Sequence, residues 1–229
     1  DHSLSGHAAT SVAQTDVYTW KQLLRFRNSW GIILGRFFID PVWWLFVTWL
    51  PTFLKEQFLF DIKQIGAFTW VPYLFAAIGG LLGGFYSSGL IKRGKDPVKA
   101  RKNAIAIGSA LMLIGLAGIV ICLSRLKDNP SWAMALISIT LFGFQFLINN
   151  LQTLPSDYFN GKNVGIVAGM GGTAAVAGTL LTTWAVPFIT QKGYALFFIL
   201  GAVLVPLSWV CIQFIYSKPT KSQLYAVKK

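Results

Sequence analysis

The chain has 229 residues, of which 54% are hydrophobic, 15% aromatic and 12% charged, a composition that excludes an ordinary soluble domain and points to an integral membrane protein. Its formal net charge of +12 would suit a polyanion only if the basic residues shared one face. They fall instead in the short connections between apolar runs, a topology signal that argues against nucleic acid.

Taken in chain order, residues 1–19 are rich in Ser, Ala and Thr and read as a flexible tether, and Tyr18–Phe26 is amphipathic and basic, suited to a membrane interface. Together residues 1–29 form a linker. Residues 30–217 hold six apolar segments: Trp30–Leu54, Gln64–Ile91, Asn103–Ser124, Asn129–Ser156, Asn163–Gln191 and Gly193–Ser217. Each is longer than the ~20 residues that cross a ~30 Å hydrocarbon core, and none alternates as a barrel strand would. The expected fold is therefore all-α, a polytopic bundle of six transmembrane helices closed by a basic tail at residues 218–229. The chain begins with Asp1 and not Met, so it is read as a piece of a longer protein.

Orientation follows from Lys and Arg. Alternate hydrophilic stretches, dominated by Lys92–Lys102, hold fourteen basic residues, against five on the opposite side. The positive-inside rule places the richer side, and so both termini, in the cytoplasm. Lys63, Gly66, Ala76 and Gly79 match Lys162, Gly165, Ala175 and Gly178 at an offset of 99 residues, the spacing that two three-helix repeats would produce.

Few residues inside the spans carry chemistry. Cys122 and Cys211 lie in apolar runs without a partner at metal or redox spacing and read as packing residues. Arg36 and Asp40 fall near the midplane of the first span, four residues apart and on one helix face. Such charges must be paired or face water. They are either a structural pair, with Arg36 able to snorkel to the surface, or the lining of a polar pathway with Arg36 as anion contact and Asp40 as gate or proton-linked group. Pro41 follows and is expected to break or kink the helix. Trp49 reads as an interface anchor, while Trp43 or Trp44 could stack on a sugar ring. In the fourth span Gln145, Asn149, Asn150 and Gln152 lie within eight positions, and Gln145, Asn149 and Gln152 share a stripe. Four amides cannot all face lipid; interhelical hydrogen bonds or a water-filled cavity for a hydroxylated solute would account for them. Gly79, Gly80, Gly83 and Gly84, with the glycines of the fifth span, signal close helix packing. No phosphate loop, nucleophile elbow or metal spacing is present in the sequence, so neither an enzyme nor a bound cofactor is expected.

Several strings resemble the major facilitator superfamily and, within it, the anion:cation symporter branch. Arg36-Phe-Phe-Ile-Asp-Pro-Val-Trp-Trp44 with Trp49-Leu-Pro51 resembles the seventh helix of hexuronate transporters; Gly83 to Gly94 with Ala100-Arg-Lys102 resembles the superfamily's cytoplasmic loop motif; Leu154-Pro-Ser-Asp157 with Val164-Gly165 and Gly169-Met-Gly-Gly172 resembles the region of the tenth and eleventh helices. The likeness implies the second six-helix half of a twelve-helix protein, with an N-terminal half as partner. It implies a multi-pass protein of the bacterial inner membrane that takes up a sugar acid or another small organic anion by alternating access, with co-transported H+ or Na+. Gln145 and Asn150 match polar positions of the tenth-helix pattern, whereas Phe144 and Leu147 replace the His and Trp expected there, and Ser88 replaces the loop motif's Asp. The substrate contacts implied are Arg36, Trp43, Trp44, Gln145, Asn149 and Asn150, and Asp40, Asp157 and Arg93 are assigned to coupling or gating. The alternative from another class is a self-contained six-helix channel or membrane scaffold, which a ring of pore-lining charges or a re-entrant loop would mark.

Overall fold

The computed structural model describes residues 17–126, 129–191 and 193–215, so the tether before residue 17 and the tail at 218–229 lie outside the described residues. Within them the fold is helical, with no strand. A short α1 (Trp20–Leu23) precedes α2 (Arg27–Phe58), α3 (Ile62–Lys92), α4 (Pro97–Leu126), α5 (Pro130–Tyr158), α6 (Lys162–Thr190) and α7 (Tyr194–Gln213). The last six are long and apolar enough to cross a membrane. They extend past the uncharged runs because a Lys or Arg can occupy a terminal turn and send its head to water. Thus α3 ends on the exposed Lys92 and α4 carries the exposed Lys99 in its first turn.

Local signals set the boundaries. Asp61 caps α3, its Oδ1 accepting from the Gln64 N–H at 2.7 Å while Gln64 Oε1 accepts from the Asp61 N–H at 2.9 Å. Asp96 performs the same service for α4 through the Lys99 N–H at 3.0 Å. The turn between α3 and α4 needs the positive φ of Gly94, +85°.

The expected break at Pro41 is absent. α2 runs continuously through Pro41 and Pro51. Proline removes the donor that would have met the Phe37 carbonyl, and α6 comes in against that carbonyl: a methyl on Gly178 would collide with Phe37 O and lie 3.1 Å from Pro41 Cγ. Only glycine lets a Cα–H approach the freed oxygen so closely. Trp49 also departs from expectation. Its ring packs against the core and its Nε1 is buried without a partner among the described residues, so it is not a simple interface anchor.

α2 and α5 are the most buried spans. α2 packs on α6 and α7, α5 packs on α3 and α4, and α4 meets α7. This exchange of partners is what two related three-helix units give. The sequence repeat takes part in it: Gly79 of α3 presses on the Phe142 carbonyl of α5 as Gly178 of α6 presses on the Phe37 carbonyl of α2. α1 folds under the bundle, with Leu23 and Phe26 buried, Trp20 outward, and the Tyr18 N–H donating to Asn163 Oδ1 at 2.9 Å.

Candidate functional site

α2 and α5 each bury most of their circumference but keep one open stripe. On α2 it runs through Trp30, Leu34, Phe37, Trp44, Thr48 and Pro51, at steps of three, four or seven residues; on α5 it runs through Gln145, Asn149, Gln152 and Ser156, at steps of four, three and four. The α5 stripe carries its amides on the half of the helix nearer the end of the bundle with Lys92–Lys102. Gln145 is half-buried, and Asn149 and Gln152 are exposed. α3 makes room for these amides with a glycine, since a methyl on Gly80 would sit 2.8 Å from Asn149 Nδ2.

Arg36 and Asp40 form a two-pronged ion pair, Nε to Oδ2 and Nη2 to Oδ1, each 3.1 Å. The side chains are 17% and 13% exposed, so the pair is partly screened from any solvent while both charges are hydrogen-bonded. Arg36 does not snorkel to the surface. It turns up the helix to Asp40 and lies along Gly171 and Gly172 of α6. Its Nη1 is not used in the pair and has no partner among the described residues. The depth of the pair matches that of the amides, because the antiparallel α2 and α5 touch at Gly35 with Leu151 and at Trp43 with Phe144. Residues 36 to 40 therefore lie level with the segment that carries Gln145 and Asn149.

The two tryptophans separate. Trp43 is enclosed by rings, stacked on Phe144 at 5.2 Å and edge-on to Tyr73 at 5.7 Å. Trp44 is 47% exposed on the open stripe. Of the two, Trp44 presents a free face for stacking.

Asn150 and Asp157 belong to a second cluster, at the basic end. Asn150 is buried, and its Nδ2 donates to the carbonyls of Gly83 and Phe146 at 3.1 and 2.8 Å. Arg101 of α4 reaches between α3 and α5: Nε donates to Asp157 Oδ2 at 3.1 Å, and Nη1 to Ser87 Oγ at 2.7 Å and to Asn150 Oδ1 at 3.3 Å. Arg93 lies exposed past the end of α3. The residue that sequence reasoning missed is Arg101. It counted only as a topology charge and as one letter of the loop-motif resemblance, although its place two residues before the apolar run Asn103–Ser124 was the available signal that it could join the helix and point inward. Ser87, next to the Ser88 that stands in the motif's acidic position, supplies the α3 contact.

Residues 2–183 match the family profile described as Major Facilitator Superfamily. The chain belongs to the major facilitator superfamily. Among curated relatives, the "Hexuronate transporter" of Escherichia coli (strain K12) is 33% identical over 93% of this chain and 50% of its own length. The "Probable galactarate/D-glucarate transporter GarP" of the same strain is 29% identical, over 98% and 49%. The "Galacturonate transporter" of Dickeya chrysanthemi is 39% identical over 40% and 27%. The chain thus spans about half the length of the first two relatives, and it resembles the C-terminal half of hexuronate transporters. These relatives are named as transporters, not enzymes, and with six helices long and apolar enough to cross a membrane the superfamily member described here is a multi-pass membrane protein.

Proposed function

We propose that this chain is the C-terminal six-helix half of a transporter that takes up a sugar acid, such as a hexuronate, or a related organic anion by alternating access, coupled to H+ or Na+. The observation that carries the reading is the open amide stripe of α5. Gln145, Asn149 and Gln152 face outward from the most buried helix of a membrane bundle, and lipid on that face would leave several donors and acceptors unpaired. Water and a hydroxylated solute satisfy them, enclosed by an N-terminal half of the same protein. The relatives, twice as long as this chain, support that partner.

In this scheme Gln145 and Asn149 bind hydroxyls and Trp44 stacks on the sugar ring. The unused Nη1 of Arg36 meets the substrate carboxylate, which competes with Asp40 for the guanidinium fork. Asp40 released from Arg36 is the coupling group. Trp43 backs the site through Phe144 and Tyr73. Asn150, with its amide committed to Gly83, Phe146 and Arg101, holds the end cluster together with Asp157. The basic excess at that end supports its assignment to the cytoplasm, with both termini there and the protein in the bacterial inner membrane.

The test is uptake of labelled glucuronate and galacturonate by cells expressing the complete reading frame, with and without a proton uncoupler, for the natural protein and for Gln145→Ala/Asn149→Ala. Accumulation that the uncoupler abolishes and the double variant loses is the expected result. Accumulation unchanged by the double variant would remove the amide stripe from substrate binding.

A further inference from the structure

Away from the open stripes, the outer junction of α4 and α7 holds a cleft of about 500 Å3 at the basic end, lined by Lys95, Lys99, Lys102 and Asn103 from the α4 side and by Trp209 and Gln213 from α7. Lys99 and Lys102, three residues apart, share one stripe of α4, and Lys95 joins them from the turn that precedes the helix. Like charges arranged this way repel one another, and no acidic residue lines the cleft. Two of the ammonium groups are held in place. Lys102 Nζ donates to the carbonyls of Gln213 and Ile215 at 3.2 and 3.1 Å, closing the end of α7. With the Asn103 amide oriented to satisfy both its ends, its oxygen accepts from Lys95 Nζ at 2.9 Å. An ammonium has three donors, so each keeps at least one for a ligand.

What lies beyond the lysines decides the kind of ligand. The same stripe of α4 continues through Ala106, Ile107, Ala110, Ile114, Ala117 and Ile121, the last five exposed and all apolar. Across from it α7 exposes Val203, Leu207 and Val210. A soluble anion has no use for this apolar lane, whereas an amphiphile fills both parts of it. Depth agrees: Lys102 stands five residues after the start of α4 and Trp209 four before the end of α7, each about 6–8 Å in at 1.5 Å rise per residue. That is the headgroup level, where tryptophan concentrates.

We propose that this cleft binds the phosphate headgroup of an anionic phospholipid, with an acyl chain lying along the α4 stripe. The binding is independent of the transport reading and requires only that α4 and α7 face lipid.

The experiment uses the complete protein, purified in detergent and equilibrated with mixed micelles of phosphatidylglycerol and phosphatidylcholine, with retained lipid read by native mass spectrometry. The natural protein retains phosphatidylglycerol in preference. Lys95→Gln/Lys99→Gln, both at exposed positions that leave the Lys102 cap of α7 intact, weakens that retention by about 30-fold, roughly fivefold per lysine. Lys55→Gln/Lys63→Gln at the opposite end leaves it unchanged. Equal retention of the two lipids by the natural protein overturns the proposal, as does full retention by Lys95→Gln/Lys99→Gln. Displacement by excess inorganic phosphate identifies a free-anion site and overturns it too.

Discussion

Replacing Gly79 with Ala directs a methyl at the Phe142 carbonyl of α5, with the carbonyl carbon 2.9 Å and the Cα 3.0 Å away. The obstacle is backbone inside a helix, so no side-chain rotation relieves it and α3 must back away from α5. Overpacking of this kind costs about 1–3 kcal/mol, and the absence of a flexible neighbour puts the expected value in the upper half, about 2–3 kcal/mol. At 1.4 kcal/mol per tenfold, the folded population relative to the unfolded drops about 30- to 150-fold. Gly84, one residue beyond Gly83 on the same helix, has open space around it, and Gly84→Ala is expected to stay within about 0.5 kcal/mol of the natural protein. Gly178→Ala, which meets the Phe37 carbonyl in the related position of α6, should match Gly79→Ala. The assay is a denaturation series in detergent on the fluorescently tagged complete protein. Coincident curves for Gly79→Ala and Gly84→Ala would refute the argument that these glycines are kept for backbone contact.

The remaining expectations concern the polar groups. Arg36→Gln strands the Asp40 carboxylate and should cost about 3–5 kcal/mol, whereas Arg36→Gln/Asp40→Asn, which removes both charges, should recover most of it; melting temperatures of the three proteins measure this, and a double variant as damaged as the sum of the singles would contradict pairing. Asp157→Asn should destabilise by about 1–3 kcal/mol by leaving Arg101 Nε without its carboxylate, more than Ser87→Ala on the same scale of thermal unfolding. Trp43→Ala empties the ring cluster with Phe144 and Tyr73 and should cost about 3–5 kcal/mol. Trp44→Ala should barely change unfolding yet reduce uptake, and equal unfolding losses at the two positions would place Trp44 in the core.

Much of the fold was legible because its main signal is one-dimensional. Five uncharged runs longer than the bilayer core, and a sixth broken only by Arg36 and Asp40, give six helices directly, and the placement of Lys92–Lys102 marks one end of the bundle. The Arg36–Asp40 pair was legible for the same reason, since an i,i+4 contact lies within one helix. The Arg101 cluster was not, because its partners are 14, 49 and 56 residues away and depend on which faces of α3, α4 and α5 meet. Pro41 misled for a related reason: loss of a backbone donor is visible in the sequence, but the glycine that comes to cover the freed carbonyl is supplied by a helix more than a hundred residues later. The amide stripe shows both sides of this. Periodicity grouped Gln145, Asn149 and Gln152 and left Asn150 off their stripe, but only packing shows that the Asn150 amide is committed to Gly83, Phe146 and Arg101.

The self-contained nature of the Arg36–Asp40 pair also bears on how the chain enters the bilayer. α2 is synthesised well before α6 and α7, the helices it finally packs against; at about 5–20 residues per second the wait lasts several seconds. Had Arg36 depended on an acidic residue of α6 or α7, α2 would spend that interval with an unmatched charge in hydrocarbon, at roughly 2.5–3.5 kcal/mol or more. Because Asp40 sits one turn along the same helix, the two charges travel into the membrane as a neutral dipole, and the order of synthesis sets no penalty on their retention.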